Sequence, residues 1–331
     1  MNESADAKGR RLVFPVTGAP ADVLEIQSLE PREPGPGEVL VRMCAAPINP
    51  ADLNTIEGTY GVKLELPATP GIEGSGVVER SHDDGFSPGD AVIFLKRSDT
   101  WATHTTVPAA SLFKLPAGID AVQAAMLKVN PATAWQLLHG FAKLEAGDWI
   151  VQNLGNSAVG RCVIQLAREL GIRTISFVRS EDQFADLKAL GADEVLLDED
   201  SGLAKAKELL GGPSAKLAFN AVGGDSALRL MKLLTKGGTH VTYGAMAKKP
   251  ITLPNGLLLF QDIRLRGLWV TRWVDGATPE EVASAYQKLA GLMVGGKLVQ
   301  PVDSTFPLDE WKQALARLDA PDRNGKVLFR M

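Results

Sequence analysis

Cysteine is almost missing from this chain: Cys44 and Cys162 are the only two in 331 residues. Two thiols exclude a disulfide framework, and such usage predicts a reducing, cytoplasmic compartment. They also fall short of the four cysteines of a typical structural zinc site. The four histidines, His82, His104, His139 and His240, show no ligand spacing, so no metal is expected. No apolar run approaches the ~20 residues of a membrane span. The N-terminal MNESADAKGRR mixes both signs of charge and has no apolar core of signal-peptide length. Residues 1–10 therefore read as a disordered leader. A formal charge of −4 gives no general attraction to nucleic acid or to an anionic membrane, although a local basic groove stays open. There is no internal repeat and no low-complexity segment.

What is present is enough chain for two domains. The first part offers short β-branched runs, RLVF at 11–14, EVLVRMCAA at 38–46, GSGVVER at 74–80 and DAVIF at 90–94, separated by Pro/Gly clusters. That texture predicts a small β-barrel or sandwich-like domain. One helix interrupts it from Pro50 to Glu57, with Asn49 as cap and Pro50 at the first helical position. From Asp120 the texture changes. Helices are expected at 120–129 and 130–138, and then strands and helices alternate: strands at 149–153, 174–179, 194–198, 217–223 and 239–244, with helices at 161–170, 181–190, 203–210 and 226–234. Such alternation predicts βαβ units and a parallel sheet covered on both faces. A strand at 263–270, helices at 279–294 and 308–318 and a last strand at 325–331 complete the chain. The expected division is 1–122, 123–296, and a return to the first domain over 297–331.

The segment WIVQNLGNSAVGRCVIQLARELG sets a glycine turn between a strand and a helix, where a dinucleotide fold needs close backbone approach to a pyrophosphate. Aligned on its last glycine it offers Gly155, Ser157 and Gly160, with Ser157 in place of the middle glycine. Backbone N–H groups of residues 156–160 would hold the pyrophosphate. The next strand ends at Val178-Arg179, where NAD-binding domains carry an acidic residue for the ribose hydroxyls. Arg179 instead suits a 2′-phosphate, and Ser180 adds a hydroxyl, so NADPH is the expected cofactor.

INPADLNTIEGTYG, PGIEGSGVV, QNLGNSAVG, FNAVGG and VTYGAM together resemble the trans-2-enoyl-thioester reductases, the zinc-free medium-chain dehydrogenases/reductases of mitochondrial-type fatty acid synthesis and their bacterial relatives. The resemblance covers nearly the whole chain after residue 11. It implies an α/β fold: a Rossmann doubly wound parallel sheet plus a smaller GroES-like β-barrel catalytic domain. PGIEGSG carries Ile72 where zinc enzymes of this superfamily have histidine. Without Lewis-acid help the chemistry favours an activated C=C bond. The resemblance implies Tyr60, in NTIEGTYG, as proton donor beside the nicotinamide. It implies cofactor contacts at Asn130, Asn156, Ser157, Ala158, Val159, Arg179, Ser180, Glu181, Tyr243, Gly244, Ala245, Met246, Leu268, Trp269, Val270 and Lys326. The sequence departs from the family at Ala245, where glycine is common, at Leu268, where phenylalanine is common, and at Ser180-Glu181, where an Asp-Arg pair is common.

A phenol keeps its proton at neutral pH and can serve as a general acid without tuning. The Gly-flanked position of Tyr60 also lets the backbone approach a ligand. Trp269 either walls an acyl or nicotinamide pocket or packs at an interface, and the strand at 263–270 is placed to extend a sheet across a two-fold axis, which predicts a homodimer. The expected substrate is a small molecule carried as a CoA or acyl-carrier-protein thioester. A quinone or enone reductase, and an NADPH-binding protein without catalysis, remain alternatives.

Overall fold

A computed structural model describes residues 9–212 and 214–331. The described residues form two compact units, one from residues 9–129 and 277–331 and the other from within residues 130–276.

The first unit opens with β1 (Gly9–Val13), the short helix α1 (Pro20–Val23) and β2 (Glu25–Leu29), an antiparallel pair of strands. Gly9 and Arg10 pair with Leu29 and Ser28, so the leader reading fails for these two residues. The rest of that leader, residues 1–8, lies outside the described residues. Then come β3 (Glu38–Pro47), α2 (Pro50–Ile56), β4 (Ser75–Ser81), β5 (Ala91–Phe94), β6 (His104–Pro108), β7 (Leu112–Lys114) and α3 (Ala121–Ala125). Asp120 caps α3 by accepting from the N–H groups of Val122 and Gln123. The helix stops four residues earlier than the sequence predicts.

The second unit runs α4 (Asn130–His139), β8 (Trp149–Gln152), α5 (Ala158–Glu169), β9 (Arg173–Val178), α6 (Phe184–Leu190), β10 (Glu194–Leu197), α7 (Asp200–Leu210), β11 (Ala215–Asn220), α8 (Gly224–Met231), β12 (Leu234–Thr242), α9 (Asn255–Gln261), β13 (Arg264–Gly267) and α10 (Val270–Gly276). Its six strands are all parallel, in the order β10-β9-β8-β11-β12-β13. This is the doubly wound order of a dinucleotide-binding domain, and its strand order reverses between β8 and β11, where such folds take ligands. The strands bury apolar side chains on both faces: Val151, Ile175, Phe177, Leu196 and Ala218 belong to one core cluster, while Val178 and Val195 belong to another. Two elements depart from expectation. The strand predicted over 263–270 stops at Gly267, and Val270 is a buried first residue of α10, which packs on α4. Tertiary packing there overrides the strand preference of a Leu-Trp-Val run. Helix α9, over the apolar run NGLLLFQ, is not among the helices expected from the sequence.

The chain re-enters the first unit through α11 (Pro279–Val294), capped by Thr278 and Glu281, and ends in β14 (Val302–Pro307), α12 (Trp311–Leu318) and β15 (Lys326–Arg330). The larger sheet of this unit has the order β14-β15-β3-β4-β5-β7, with β6 also paired to β3. Trp101 and Phe329 meet edge to face in its core, ring centroids 5.1 Å apart. The boundaries expected at 122/123 and 296/297 are displaced to 129/130 and 276/277. The cause is tertiary: α3 packs on β3 and β4, Gln123 and Gln300 exchange hydrogen bonds of 2.8 and 2.9 Å, and Tyr286 of α11 donates to the Lys128 carbonyl at 2.9 Å.

Candidate active site

The turn after β8 is built by contacts that leave no room for larger residues. Leu154 adopts φ +52°, and Gly155 donates its N–H to the Phe177 carbonyl at 3.0 Å. A Cβ on Gly155 would lie 2.8 Å from that of Ser176, and one on Gly160 would lie 2.6 Å from the Gly155 oxygen. Ser157 stands where the dinucleotide motif has its middle glycine. Its hydroxyl accepts from the Gly160 N–H at 3.0 Å, making it the N-cap of the twelve-residue α5. The first-turn N–H groups of Ala158 and Val159 have no intrahelical acceptor and face outward from the helix end, as an anion site requires. Buried Arg161 reaches back from Nε to the Asn156 carbonyl at 3.1 Å and braces the turn.

Asn153, which the sequence reading passed over, joins this turn to the one after β11. It is fully buried, and its Nδ2 donates to Asn220 Oδ1 and to Ser226 Oγ, each at 2.8 Å. Its Oδ1 accepts from the Ala221 N–H at 2.8 Å. Ser226 donates in turn to Asp198 at 2.5 Å, and Asp198 is paired with Arg229. The signal for these residues was polar side chains at strand ends, but their pairing spans up to 73 positions and is invisible in the linear chain.

Arg179, Ser180 and Glu181 are exposed directly beyond the C-terminal end of β9. Among the described residues no carboxylate pairs with Arg179. After β12, Tyr243 donates its N–H to the Asn220 carbonyl at 2.9 Å. Its hydroxyl is buried near Ser157 without a partner of hydrogen-bonding geometry, and burial pushes this phenol well above its ordinary range. Gly244 lies 3.3 Å, at its would-be Cβ, from the Ala221 side chain and carbonyl, while Ala245 and Met246 are exposed. Asn130 is the buried first residue of α4. Leu268, Trp269 and Val270 follow β13, with the Leu268 N–H donating to the Thr242 carbonyl at 2.9 Å. Leu268 and Trp269 line a cavity of about 580 Å³ with Phe141, Arg266, Arg272 and Trp273. The glycine cradle and the orphaned Tyr243 hydroxyl fit a dinucleotide, and the second unit holds every cofactor residue implied by the sequence except Lys326.

Lys326 lies in the first unit and is buried. Its Nζ donates to Asn49 Oδ1 and to the Ile48 carbonyl. Asn49 is the N-cap of α2, as the sequence predicts: Asp52 accepts from the Asn49 N–H at 3.0 Å, and the Asn49 side-chain amide goes to Glu73. Tyr60, half-buried, follows α2 in a turn closed by its own N–H donating to the Asn54 carbonyl at 3.0 Å.

The cysteines and histidines are scattered. Cys44 is half-buried on β3 and Cys162 buried in α5; His104 faces Glu79, His139 stacks on Trp135, and His240 is interior to β12. Among the described residues no three His, Cys, Asp or Glu side chains come together in a way that could hold a metal ion.

Two family models match the chain: "Alcohol dehydrogenase GroES-like domain" over residues 35–117 and "Zinc-binding dehydrogenase" over residues 158–290. The mitochondrial enoyl-[acyl-carrier-protein] reductase of Xenopus tropicalis is 39% identical, across 97% of this chain and 95% of that protein. That of Arabidopsis thaliana is 41% identical, across 92% and 84%. Among solved structures, the Etr1p/NADP/crotonyl-CoA complex superposes with a TM-score of 0.88 at 29% identity, covering 98% of this chain and all of that one. A putative NADPH:quinone reductase from Bacillus thuringiensis superposes at 0.90 with 27% identity and the same coverage. With identity near two residues in five sustained along both sequences, the chain belongs to the enoyl-[acyl-carrier-protein] reductase family of the medium-chain dehydrogenases/reductases.

Proposed function

We propose that this chain is an NADPH-dependent reductase of trans-2-enoyl thioesters, acting on enoyl groups carried by CoA or an acyl carrier protein in fatty acid metabolism. One observation carries the reading. A chain alike to the enoyl reductases over almost its whole length has both a glycine-built nucleotide cradle and a tyrosine, Tyr60, at the family's proton-donor position.

Bound NADPH supplies a hydride to the β-carbon of the enoyl group. Residues 130, 155–160, 179–181, 243–246 and 268–270 are the ones we assign to holding it, with Arg179 on the 2′-phosphate. As the β-carbon gains hydride, the π electrons pass to the thioester oxygen, and the enolate so formed needs hydrogen-bond donors. The Tyr60 hydroxyl then gives its proton to the α-carbon, and solvent reprotonates the phenolate. Ser157 and Arg161 keep the helix start in place, and Asn153 locks the neighbouring turn.

The quinone or enone reading has one observation in its favour, the TM-score of 0.90 with a putative NADPH:quinone reductase. Steady-state NADPH oxidation with crotonyl-CoA, a long-chain enoyl-CoA and a benzoquinone separates the readings. Turnover of the thioesters supports the proposal, turnover of the quinone alone selects the alternative, and binding without turnover leaves a nucleotide-binding module.

We also propose a homodimer joined through β13. All four residues of that edge strand are exposed, and the adjacent α9 leaves Leu259 and Phe260 72% and 73% exposed. An open strand edge beside apolar surface is a pairing site. Light scattering should give twice the 35.3 kDa of one chain. The compartment proposed is the cytoplasm, on the sparse cysteine usage. The relatives are named mitochondrial, so cell fractionation that recovered the protein in a mitochondrial matrix would overturn this. No helix among the described residues is long and apolar enough to cross a membrane.

A further inference from the structure

The sheet of the second unit is made of two halves, β8 to β10 and β11 to β13, and among the described residues its strands join them only where β8 pairs with β11. That seam is short: Leu217 lies against Ile150, Ala218 against Val151 and Phe219 against Gln152. One step further along, at the C-terminal end of both strands, the register sets Asn153 beside Asn220. Both are fully buried, and here side chains take over from the backbone ladder.

The contacts run in one direction. Asn153 Nδ2 spends its two hydrogens on Asn220 Oδ1 and Ser226 Oγ, each at 2.8 Å. The Ser226 hydroxyl then donates to Asp198, just past β10 in the first half, and Arg229 of α8 donates to the same carboxylate at 2.9 Å. Asn220 Oδ1 also accepts from the N–H groups of Val222 and Gly223, at 3.1 and 3.0 Å. Asn220 Nδ2 donates to Thr242 Oγ1, at the end of β12, at 3.2 Å. One chain of side chains therefore crosses the seam and ties together the C-terminal ends of β10, β8, β11 and β12. A buried polar network that is fully satisfied fixes one geometry more sharply than apolar packing does. The other end of the same seam is held differently, by the partly exposed pair of Lys216 and Asp148 at 2.7 Å.

A dinucleotide lies across these two halves, one nucleotide on each, over the point where the strand order reverses. The glycine turn and Arg179 belong to the first half, and residues 243–246 and 268–270 to the second. We propose, on the cofactor residues assigned above, that Asn153 is a positioning residue for the cofactor. Through Asn220 and Ser226 it holds the two halves at the span that lets the phosphate end and the nicotinamide end of NADPH bind at once. Two linked contacts reinforce each other only when the distance between their sites fits the link. Loss of the clamp should therefore weaken a ligand that spans the seam and spare one that stays on the first half.

The test is calorimetric titration with NADPH, which spans the seam, and with adenosine 2′,5′-bisphosphate, which carries only the phosphate end. In Asn153→Ala the NADPH Kd should rise about ten-fold or more, while that of the bisphosphate should move less than about two-fold. Asn153→Asp turns two donors into acceptors that face Asn220 Oδ1 and Ser226 Oγ, so its selective loss should be larger. Ser226→Ala keeps the asparagine pair and cuts only the bridge to Asp198. It should show the same selectivity at smaller size, and it decides the matter if neither change at Asn153 folds. Lys216→Met opens the seam at its far end and should leave both affinities within about two-fold. Equal losses for the two ligands in the clamp variants, unchanged NADPH affinity, or a matching selective loss in Lys216→Met each overturn the inference. Wild-type protein that binds NADH as tightly as NADPH overturns the assignment of Arg179 to the 2′-phosphate instead, and NADH compared with ADP then decides the positioning.

Discussion

The carbonyl oxygen of Gly155 occupies the space in which a side chain on Gly160 would begin, 2.6 Å from the ideal Cβ position. The start of α5 is thus seated on the turn that precedes it, with the backbone of one glycine against the missing side chain of another. Gly160→Ala must push the helix start away from the turn, a misfit worth about 1–3 kcal/mol. The N–H groups that would hold the pyrophosphate move with it, so NADPH binding should weaken about ten-fold or more by fluorescence titration. Gly291→Ala is the control. Gly291 is exposed within α11 with nothing inside 4 Å of a Cβ, so the change should stabilise the protein by about 0.5–1 kcal/mol and leave NADPH affinity alone.

Arg179 decides which nicotinamide cofactor is preferred, if its exposed guanidinium takes the 2′-phosphate. Arg179→Ala should remove a charge-assisted contact worth about 1.5–3 kcal/mol, or roughly ten- to 150-fold in NADPH affinity, and leave NADH nearly unchanged. Calorimetric titration of both cofactors is the check, and equal losses for the two would refute the assignment.

The glycine turn, the β/α alternation and the capped α2 were legible because each is written in neighbouring residues: a glycine pair around a cap, a change in hydrophobic period, a proline after an asparagine. The buried network around Asn49 was not, because Asn49 meets Glu73 across 24 positions and Lys326 across 277. The end of β13 was misread for a related reason. Leu268, Trp269 and Val270 have the composition of a strand, and only the packing of α10 on α4 makes Val270 helical. The chain's return at residue 277 was likewise hidden in the Tyr286 hydroxyl and its partner on Lys128.

His240 is fully buried in β12, and neither ring nitrogen has a partner among the described residues. Burial pushes its pKa down to about 4, against about 6.5 for an unperturbed imidazole. Between those values the unfolded chain binds the proton and the folded one does not, so stability falls as pH drops from about 6.5 toward 4. Going from pH 7.5 to 5, this group alone should cost about 2 kcal/mol. Asp52, raised to about 6, has the opposite sign but belongs to the other unit. In His240→Leu the loss between pH 7.5 and 5 should shrink by about that 2 kcal/mol. Urea unfolding followed by fluorescence reports it, because Trp135, Trp149, Trp269 and Trp273 all lie in the unit that contains His240. An unchanged pH dependence would show that the imidazole is already protonated or hydrated in the fold.

Tyr60→Phe keeps the ring and deletes only the hydroxyl. If that hydroxyl delivers the proton to the α-carbon, the chemical step should slow by about 10²–10⁴-fold, the range for a positioned general acid. NADPH affinity should hardly change, since the cradle belongs to residues 130–276 and Tyr60 does not. The loss should fall on kcat more than on KM, because a transferring proton is bound differently in the transition state than in the ground state. Water can donate in place of the phenol, so a small residual rate fits the assignment, and it carries a signature. Protonation from solvent has no fixed face, so product formed in deuterated water should lose stereochemical purity at the α-carbon as the rate falls. The two measurements together are more selective than either one. A variant that is slow but keeps its α-carbon stereochemistry would point to a displaced substrate and another donor. A variant with wild-type single-turnover rate and unchanged stereochemistry would leave Tyr60 as a packing residue and remove the proton-donor step from the mechanism.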